Sequence, residues 1–256
     1  MELLVDIGNS ALKYLDAAQL WAGEAPRHHP YRDGGLAAVL DAHWAPLPTP
    51  ARVHVACVAS EAGEELAQWC RRHWDLQPHF LATGVREAGV ENGYTEPAQL
   101  GVDRWAALVG AHALGPDDYC LVDAGTAVTV DYLDGRGRHR GGLILPGFHL
   151  MQAAVAQGTD LPRIAASDAL PPFPGRDTAG CLAAGSHVAV VGAVREALAR
   201  APAVLGMAGG NPRCLLCGGD ARRLLPQLAE APGVVVEYHP ELVLRGVARL
   251  AGLAVV

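Results

Sequence analysis

The sequence predicts a two-part α/β protein, each part a mixed sheet flanked by helices. Three observations predict it. Residues 4–16 (LVDIGNSALKYLD) and 121–134 (LVDAGTAVTVDYLD) share one pattern: an apolar strand ending in Asp, a Gly turn with a hydroxyl residue, and a second strand ending in Tyr-Leu-Asp. The two Val-Asp-X-Gly cores lie 117 residues apart in a chain of 256, too far for a solenoid repeat and close to half the length. After each copy, helix and strand signals alternate, the order that builds α/β layers. At about 150 residues per domain the length allows one large domain or two small ones; the repeat favours two, packed side by side, with the boundary between residues 116 and 117.

The elements follow in order. In the first half, alternating apolar residues and Val enrichment predict strands near 2–7, 10–16, 52–58 and 78–82, with a possible further strand near 19–22. Helical spacing predicts helices near 33–43 and 62–74, the second from EELAQWCRRHW. A further helical run opens at Gly101 and ends at Leu114. The second half predicts strands near 119–123, 126–132, 139–145, 213–217 and 233–236. Its helices fall near 147–157, 177–200, 220–229 and 239–253. The connections Ala25–Gly35, Ala45–Pro50, Leu161–Gly175 and Ala201–Pro212 are rich in Gly, Pro and polar residues.

Composition excludes several classes. The 20 Lys and Arg against 27 Asp and Glu leave a net charge of −7, with no basic block, which argues against nucleic acid and anionic membranes as partners. Glu2 and Asp6 interrupt the first apolar run, so it reads as a strand and not as a secretory signal. The uncharged runs Gly141–Thr159 and Thr178–Val194 are broken by Pro146 and His149 and by Ser186 and His187, and neither reads as a membrane span. The six scattered Cys are expected to be reduced core thiols of a cytoplasmic protein, and Cys214-Leu-Leu-Cys217 has no second pair with which to form a zinc site. The 11 His show no metal-ligand spacing; His28, His29 and His139 are expected in exposed loops.

Chemistry concentrates at glycine turns. In Asp6-Ile7-Gly8-Asn9-Ser10, Gly8 allows a sharp turn whose amides can face an anion, Ser10 adds a hydroxyl, and Lys13, the single lysine, can reach the same phosphate. Asp6, ending its strand, is placed to hold magnesium. A hairpin with a structural Asx turn is the other reading. The second copy, Asp123-Ala124-Gly125-Thr126-Ala127, favours the first: two such turns can hold a polyphosphate from both sides of an interdomain cleft. Asp103, in the first turn of its helix, is either a cap or a carboxylate able to take a proton from a hydroxyl, with Arg104 beside it to grip a substrate carboxylate. The turn Cys217-Gly218-Gly219-Asp220 can admit a base or ribose or simply join a strand to a helix. The small-residue helix near 177–200 fits close packing in the core or against a second subunit. No GxxxxGK[ST] and no GxSxG motif is present.

DIGNS at 6–10, NGY and GVDRW within 92–105, DAGTA at 123–127 and GGLILPG at 141–147 together resemble the type III pantothenate kinases. That family sits in the acetate and sugar kinase, Hsc70 and actin superfamily and includes proteins labelled Bvg accessory factors. The resemblance implies an actin-like ATPase fold of two duplicated ribonuclease-H-like domains, 1–116 and 117–256. It implies ATP-dependent phosphorylation of pantothenate, opening coenzyme A biosynthesis, by a homodimer that uses Mg2+ and a monovalent cation, potassium or ammonium. Asp6, Ile7, Gly8, Asn9, Ser10, Ala11, Leu12 and Lys13 would bind ATP phosphates, with Asp6 near the magnesium. Thr126 would bind ATP and Asp123 the monovalent cation. Tyr94, Gly101, Val102, Asp103, Arg104 and Thr178 would contact pantothenate, with Asp103 as proton acceptor. A kinase of another small alcohol, or a non-catalytic nucleotide-binding regulator of the Bvg accessory factor type, is the alternative.

Overall fold

The computed structural model describes residues 1–32, 34–159, 167, 169–230 and 233–253, which fall into two units. One comprises 1–116, 136–139 and 240–256; the other comprises 117–135 and 140–239.

The first unit opens with β1 (Glu2–Ile7) and β2 (Ala11–Asp16), followed by α1 (Ala17–Trp21), β3 (Arg27–Pro30), α2 (Leu36–His43), β4 (Arg52–Cys57), α3 (Ser60–Trp74) and β5 (His79–Phe80). The sheet order is β3-β2-β1-β4-β5, antiparallel between β1, β2 and β3 and parallel between β1, β4 and β5. β1 is central and covered on both faces, which explains its nearly continuous apolar run. Leu3, Val5 and Ile7 face Leu36, Leu40, Leu66 and a tryptophan cluster in which Trp44 stacks on Trp74 at 5.3 Å and meets Trp69 edge-on at 6.0 Å. A short hairpin, β6 (Arg86–Glu87) and β7 (Val90–Glu91), and a 3-10 turn at Pro97–Gln99 lead into α4 (Val102–His112).

The second unit repeats the plan. β8 (Tyr119–Ala124), β9 (Ala127–Leu133) and β10 (His139–Pro146) precede α5 (Phe148–Gly158), α6 (Thr178–Leu205), β11 (Arg213–Cys217), α7 (Ala221–Ala229) and β12 (Val235–Tyr238). The order β10-β9-β8-β11-β12 matches that of the first sheet strand for strand. Val122, Val128, Val130 and Leu216 meet Val190, Val194 and Leu198 of α6, so the long helix does pack in a core. Its other side is open: a Cβ on Gly185 or Gly192 would touch nothing within 4 Å. Among the described residues no helix is long and apolar enough to cross a membrane.

Several expectations change. Residues 19–22 are not a strand; they fall in and just beyond α1, whose start is capped by Asp16 accepting from the Ala18 amide at 2.9 Å. The third strand is β3, inside the stretch expected to be a loop, and it carries His28 and His29. His139, expected in an exposed loop, is 3 % exposed at the start of β10. α6 runs to Leu205, through Pro202. Of the connection 161–175, residues 161–166 and 168 lie outside the described residues, as does residue 33 of the helix expected over 33–43. Cys57 is half-buried and Cys181 is exposed, while Cys70, Cys120, Cys214 and Cys217 are buried; none forms a disulfide.

The last helix, α8 (Leu242–Leu250), packs along α4 and against β1, so it belongs with the first unit, whereas a division at 116/117 assigns it to the second. The crossing is made by glycines. A Cβ on Gly110 would sit 3.1 Å from the Gly246 nitrogen and closer still to the Leu242 carbonyl oxygen, and one on Gly246 would sit 2.8 Å from Ala106 Cα. Gly246→Ala is therefore expected to cost about 1–3 kcal/mol or more, as overpacked sites do; chemical denaturation measures it, and unchanged stability would mean that the helices can separate freely.

Candidate active site

The first candidate residues lie at the carboxyl end of the first sheet. β1 and β4 run parallel with Ile7 beside Cys57, so their last residues open at the same edge, where α/β sheets bind ligands. Asp6 is 4 % exposed, and Lys13, opposite it in the ladder, places Nζ 3.3 Å from Asp6 Oδ2. The turn between β1 and β2 is closed by the Gly8 amide donating to the Ala11 carbonyl at 3.1 Å. Tyr31 braces it from outside: its hydroxyl donates to the Gly8 carbonyl and its amide to the Ser10 carbonyl. Tyr31 lies beyond β3, and no sequence pattern tied it to a turn more than twenty residues earlier.

α4 starts at the same edge. Val102 and Arg104 are buried and Asp103 half-buried. Asp103 Oδ1 accepts from the Arg104 amide at 2.7 Å, and the helix N-terminus favours its negative charge. Gly101 makes room for that carboxylate, because a Cβ there would lie 2.6 Å from Asp103 Oδ1. A Cβ on Gly101 would lie 3.8 Å from Val58 Cγ1, which sets the start of α4 beside the end of β4; burial pushes the Cys57 thiol pKa up, and the Asp6 and Asp103 carboxylates push the same way. Asp6, Lys13 and Asp103, predicted separately from the sequence, are thus gathered around the ends of β1 and β4.

The Asn-Gly-Tyr segment is fixed to the same helix. Asn92, buried, donates from Nδ2 to the Gly84 and Pro97 carbonyls at 3.2 Å and accepts from the Tyr94 amide at 3.0 Å. Arg104 Nη1 donates to the Tyr94 hydroxyl at 2.7 Å. Tyr94, Gly101, Val102, Asp103 and Arg104 therefore form one constellation. Asn92 carries no chemical signal of its own in the sequence, and its bracing role appears only with the loop's closure.

In the second unit, Asp123 is the next-to-last residue of β8, as Asp6 is of β1. The turn is tighter: the Gly125 amide donates to the Ala127 carbonyl at 3.0 Å, and three residues separate the last ladder pair where the first turn has four. Gly218, at φ +96°, lies against Asp123 Oδ1 and the Ala124 carbonyl, where no side chain would fit. The Asp220 amide donates to the Ala124 carbonyl at 2.8 Å, and the Gly147 amide donates to the Thr126 carbonyl at 3.0 Å. The structure thus joins DAGTA, the glycine of GGLILPG and the Cys-Gly-Gly-Asp turn. Thr178 is exposed at the start of α6, whose cap Asp177 accepts from the Gly180 amide at 2.7 Å.

A sequence model of the type III pantothenate kinase family matches residues 2–200. The type III pantothenate kinase of Halorhodospira halophila is 39% identical over 255 residues, covering 96% of each chain. That of Alkalilimnicola ehrlichii is 39% identical, covering 97% of each. The chain belongs to the type III pantothenate kinase family. It is a phosphotransferase of coenzyme A biosynthesis that acts on pantothenate. A solved structure described as a putative Baf family transcriptional activator from Campylobacter jejuni superposes with a TM-score of 0.58 at 20% identity, covering 98% of this chain and 97% of its own. At that identity the likeness shows the fold, and it agrees with the actin-like ATPase fold that the family resemblance implies.

Gly101→Ala is expected to push the Asp103 carboxylate aside, shift the first turn of α4 and lower kcat with pantothenate about 10²-fold, the scale of a one-ångström displacement. Steady-state kinetics beside a thermal melt check it: native turnover in a folded variant would mean that the carboxylate has no fixed place to keep.

Proposed function

We propose that this chain transfers the γ-phosphoryl group of ATP to the primary hydroxyl of pantothenate, with Asp103 as proton acceptor. The observation that carries the reading is the gathering of Asp6, Lys13 and Asp103 at the carboxyl ends of β1 and β4. Asp103 accepts a hydrogen bond from the pantothenate hydroxyl and orients its oxygen in line with the γ-phosphorus. As the new O–P bond forms and the bond to the β-phosphate oxygen breaks, the hydroxyl proton passes to Asp103 and ADP leaves. Little covalent work falls to the protein in such transfers; positioning and charge neutralisation supply most of the rate.

Binding roles divide between the turns. The loop of Asp6, Ile7, Gly8, Asn9, Ser10, Ala11, Leu12 and Lys13 takes the ATP phosphates through amides, the Ser10 hydroxyl and the Lys13 ammonium, and Thr126 contributes from its own turn. Lys13 sits at 3.3 Å from Asp6, so it can exchange that carboxylate for a phosphate oxygen. Tyr94, Gly101, Val102, Arg104 and Thr178 hold pantothenate, and the Arg104 guanidinium suits its carboxylate.

The donor sets suit hard cations. Asp6 offers one buried carboxylate, which fits Mg2+, an ion that takes one or two carboxylates and completes its shell with phosphates and water. Asp123 and the Ala124 carbonyl meet over Gly218, an oxygen-only set that suits potassium or ammonium. Held there, magnesium and the monovalent cation would supply positive charge to the phosphates. We also assign the chain a homodimeric state, as the family resemblance implies.

Purified protein with ATP, magnesium and pantothenate is expected to release ADP only when pantothenate is present, and faster in potassium than in sodium. Asp103→Asn should lower kcat by about 10²–10⁴ while ATP binding, read by nucleotide titration, holds. Near-native turnover in that variant would remove Asp103 from the reaction.

A further inference from the structure

Among the residues with no role above, His139 stands at the Tyr94–Arg104 pair. It belongs to the four-residue segment 136–139, the end of the β9–β10 connection and the first residue of β10, which the chain returns to the first unit. The segment is fastened there. The Glu91 amide donates to the Gly137 carbonyl at 2.8 Å, and Glu91 and Arg138 form a parallel bridge. Gly137 has φ +77°, and a Cβ on it would lie 3.2 Å from His112 Cε1 and against the Gly89 carbonyl, so the turn fits only as glycine.

This fastening carries the His139 ring onto Tyr94. The two rings stack at 5.8 Å between centroids and 19° between planes, with His139 3 % exposed and Tyr94 half-exposed. Tyr94 is thereby held at three points. Asn92 takes its amide, Arg104 donates to its hydroxyl, and His139 covers one face of its ring. Without the imidazole, the tyrosine ring could turn about its side-chain bonds and carry the Arg104 hydrogen bond with it.

We propose that His139 is a positioning residue for pantothenate recognition: its ring fixes Tyr94, and through the Tyr94 hydroxyl the Arg104 guanidinium. The inference rests on the reading of Tyr94 and Arg104 as pantothenate-binding residues. His139, buried behind the Tyr94 ring, is assigned an action through that ring and no contact of its own with the substrate.

Two substitutions that fill the same space separate positioning from core filling. His139→Leu removes the planar ring, and His139→Phe keeps it. The Leu variant is expected to raise the KM for pantothenate about 3- to 10-fold, the range of an aromatic pair, with kcat and the KM for ATP within about twofold. The Phe variant is expected to return the pantothenate KM to near the native value. Native KM in both variants, a joint rise of both KM values, no rescue by Phe, or failure of both to fold would each overturn the proposal. Tyr94→Ala in the same assay separates the two layers. If it leaves the pantothenate KM unchanged, the substrate assignment itself falls; if it raises that KM while His139→Leu does not, only the role of His139 falls.

Discussion

Two glycines let α8 close onto α4 in the first unit. Gly110 and Gly246 bring the backbones of α4 and α8 into contact, and no other residue type leaves space for the Leu242 and Ala106 carbonyls there. The crossing fixes α4 against α8, and α8 in turn packs on β1. Asp103 and Arg104 begin α4 and Asp6 is next to last in β1, so both ends of the proposed chemistry are referenced to one helix contact. Because α8 follows the second unit in sequence, this arrangement is complete only after that unit has been made.

The two hairpins show how one local pattern accommodates two chemistries. Both place an aspartate at the end of a central strand and close the turn with a glycine amide on a carbonyl two or three residues later. In the first, the residue opposite the aspartate is Lys13; in the second it is Thr129. A carboxylate facing an ammonium group lies close to neutral as a pair. One opposite a threonine has no cationic partner in its ladder pair. The longer first turn also gives Tyr31 two carbonyls to hold, at Gly8 and Ser10.

Much of this was legible in the sequence because it is local. The repeated Val-Asp-X-Gly pattern marks both hairpins, alternation marks the central strands, and the spacing of Leu66, Trp69 and Trp74 marks α3. What escaped depends on partners distant in sequence. β3 is polar and exposed, and it is a strand only because Ala11–Tyr14 pairs with it. Residues 19–22 have strand-like length, yet Asp16 caps a helix just before them. His139 reads as a loop residue until Gly137 docks beside Gly89 and turns it inward. The membership of α8 shows only in the match of Gly246 to α4. Motif spacing led to Asp6, Asp103 and Asp123, whereas Tyr31, Asn92 and His139 emerged from three-dimensional closure.

The tryptophan cluster has an optical consequence. All five tryptophans, at positions 21, 44, 69, 74 and 105, fall in the first unit, three of them in mutual ring contact. Indole emission therefore monitors one half of the chain and is blind to the other, where tyrosine is the strongest chromophore. A fluorescence melt and a calorimetric trace would coincide only if the duplicated halves lose their structure in a single cooperative event.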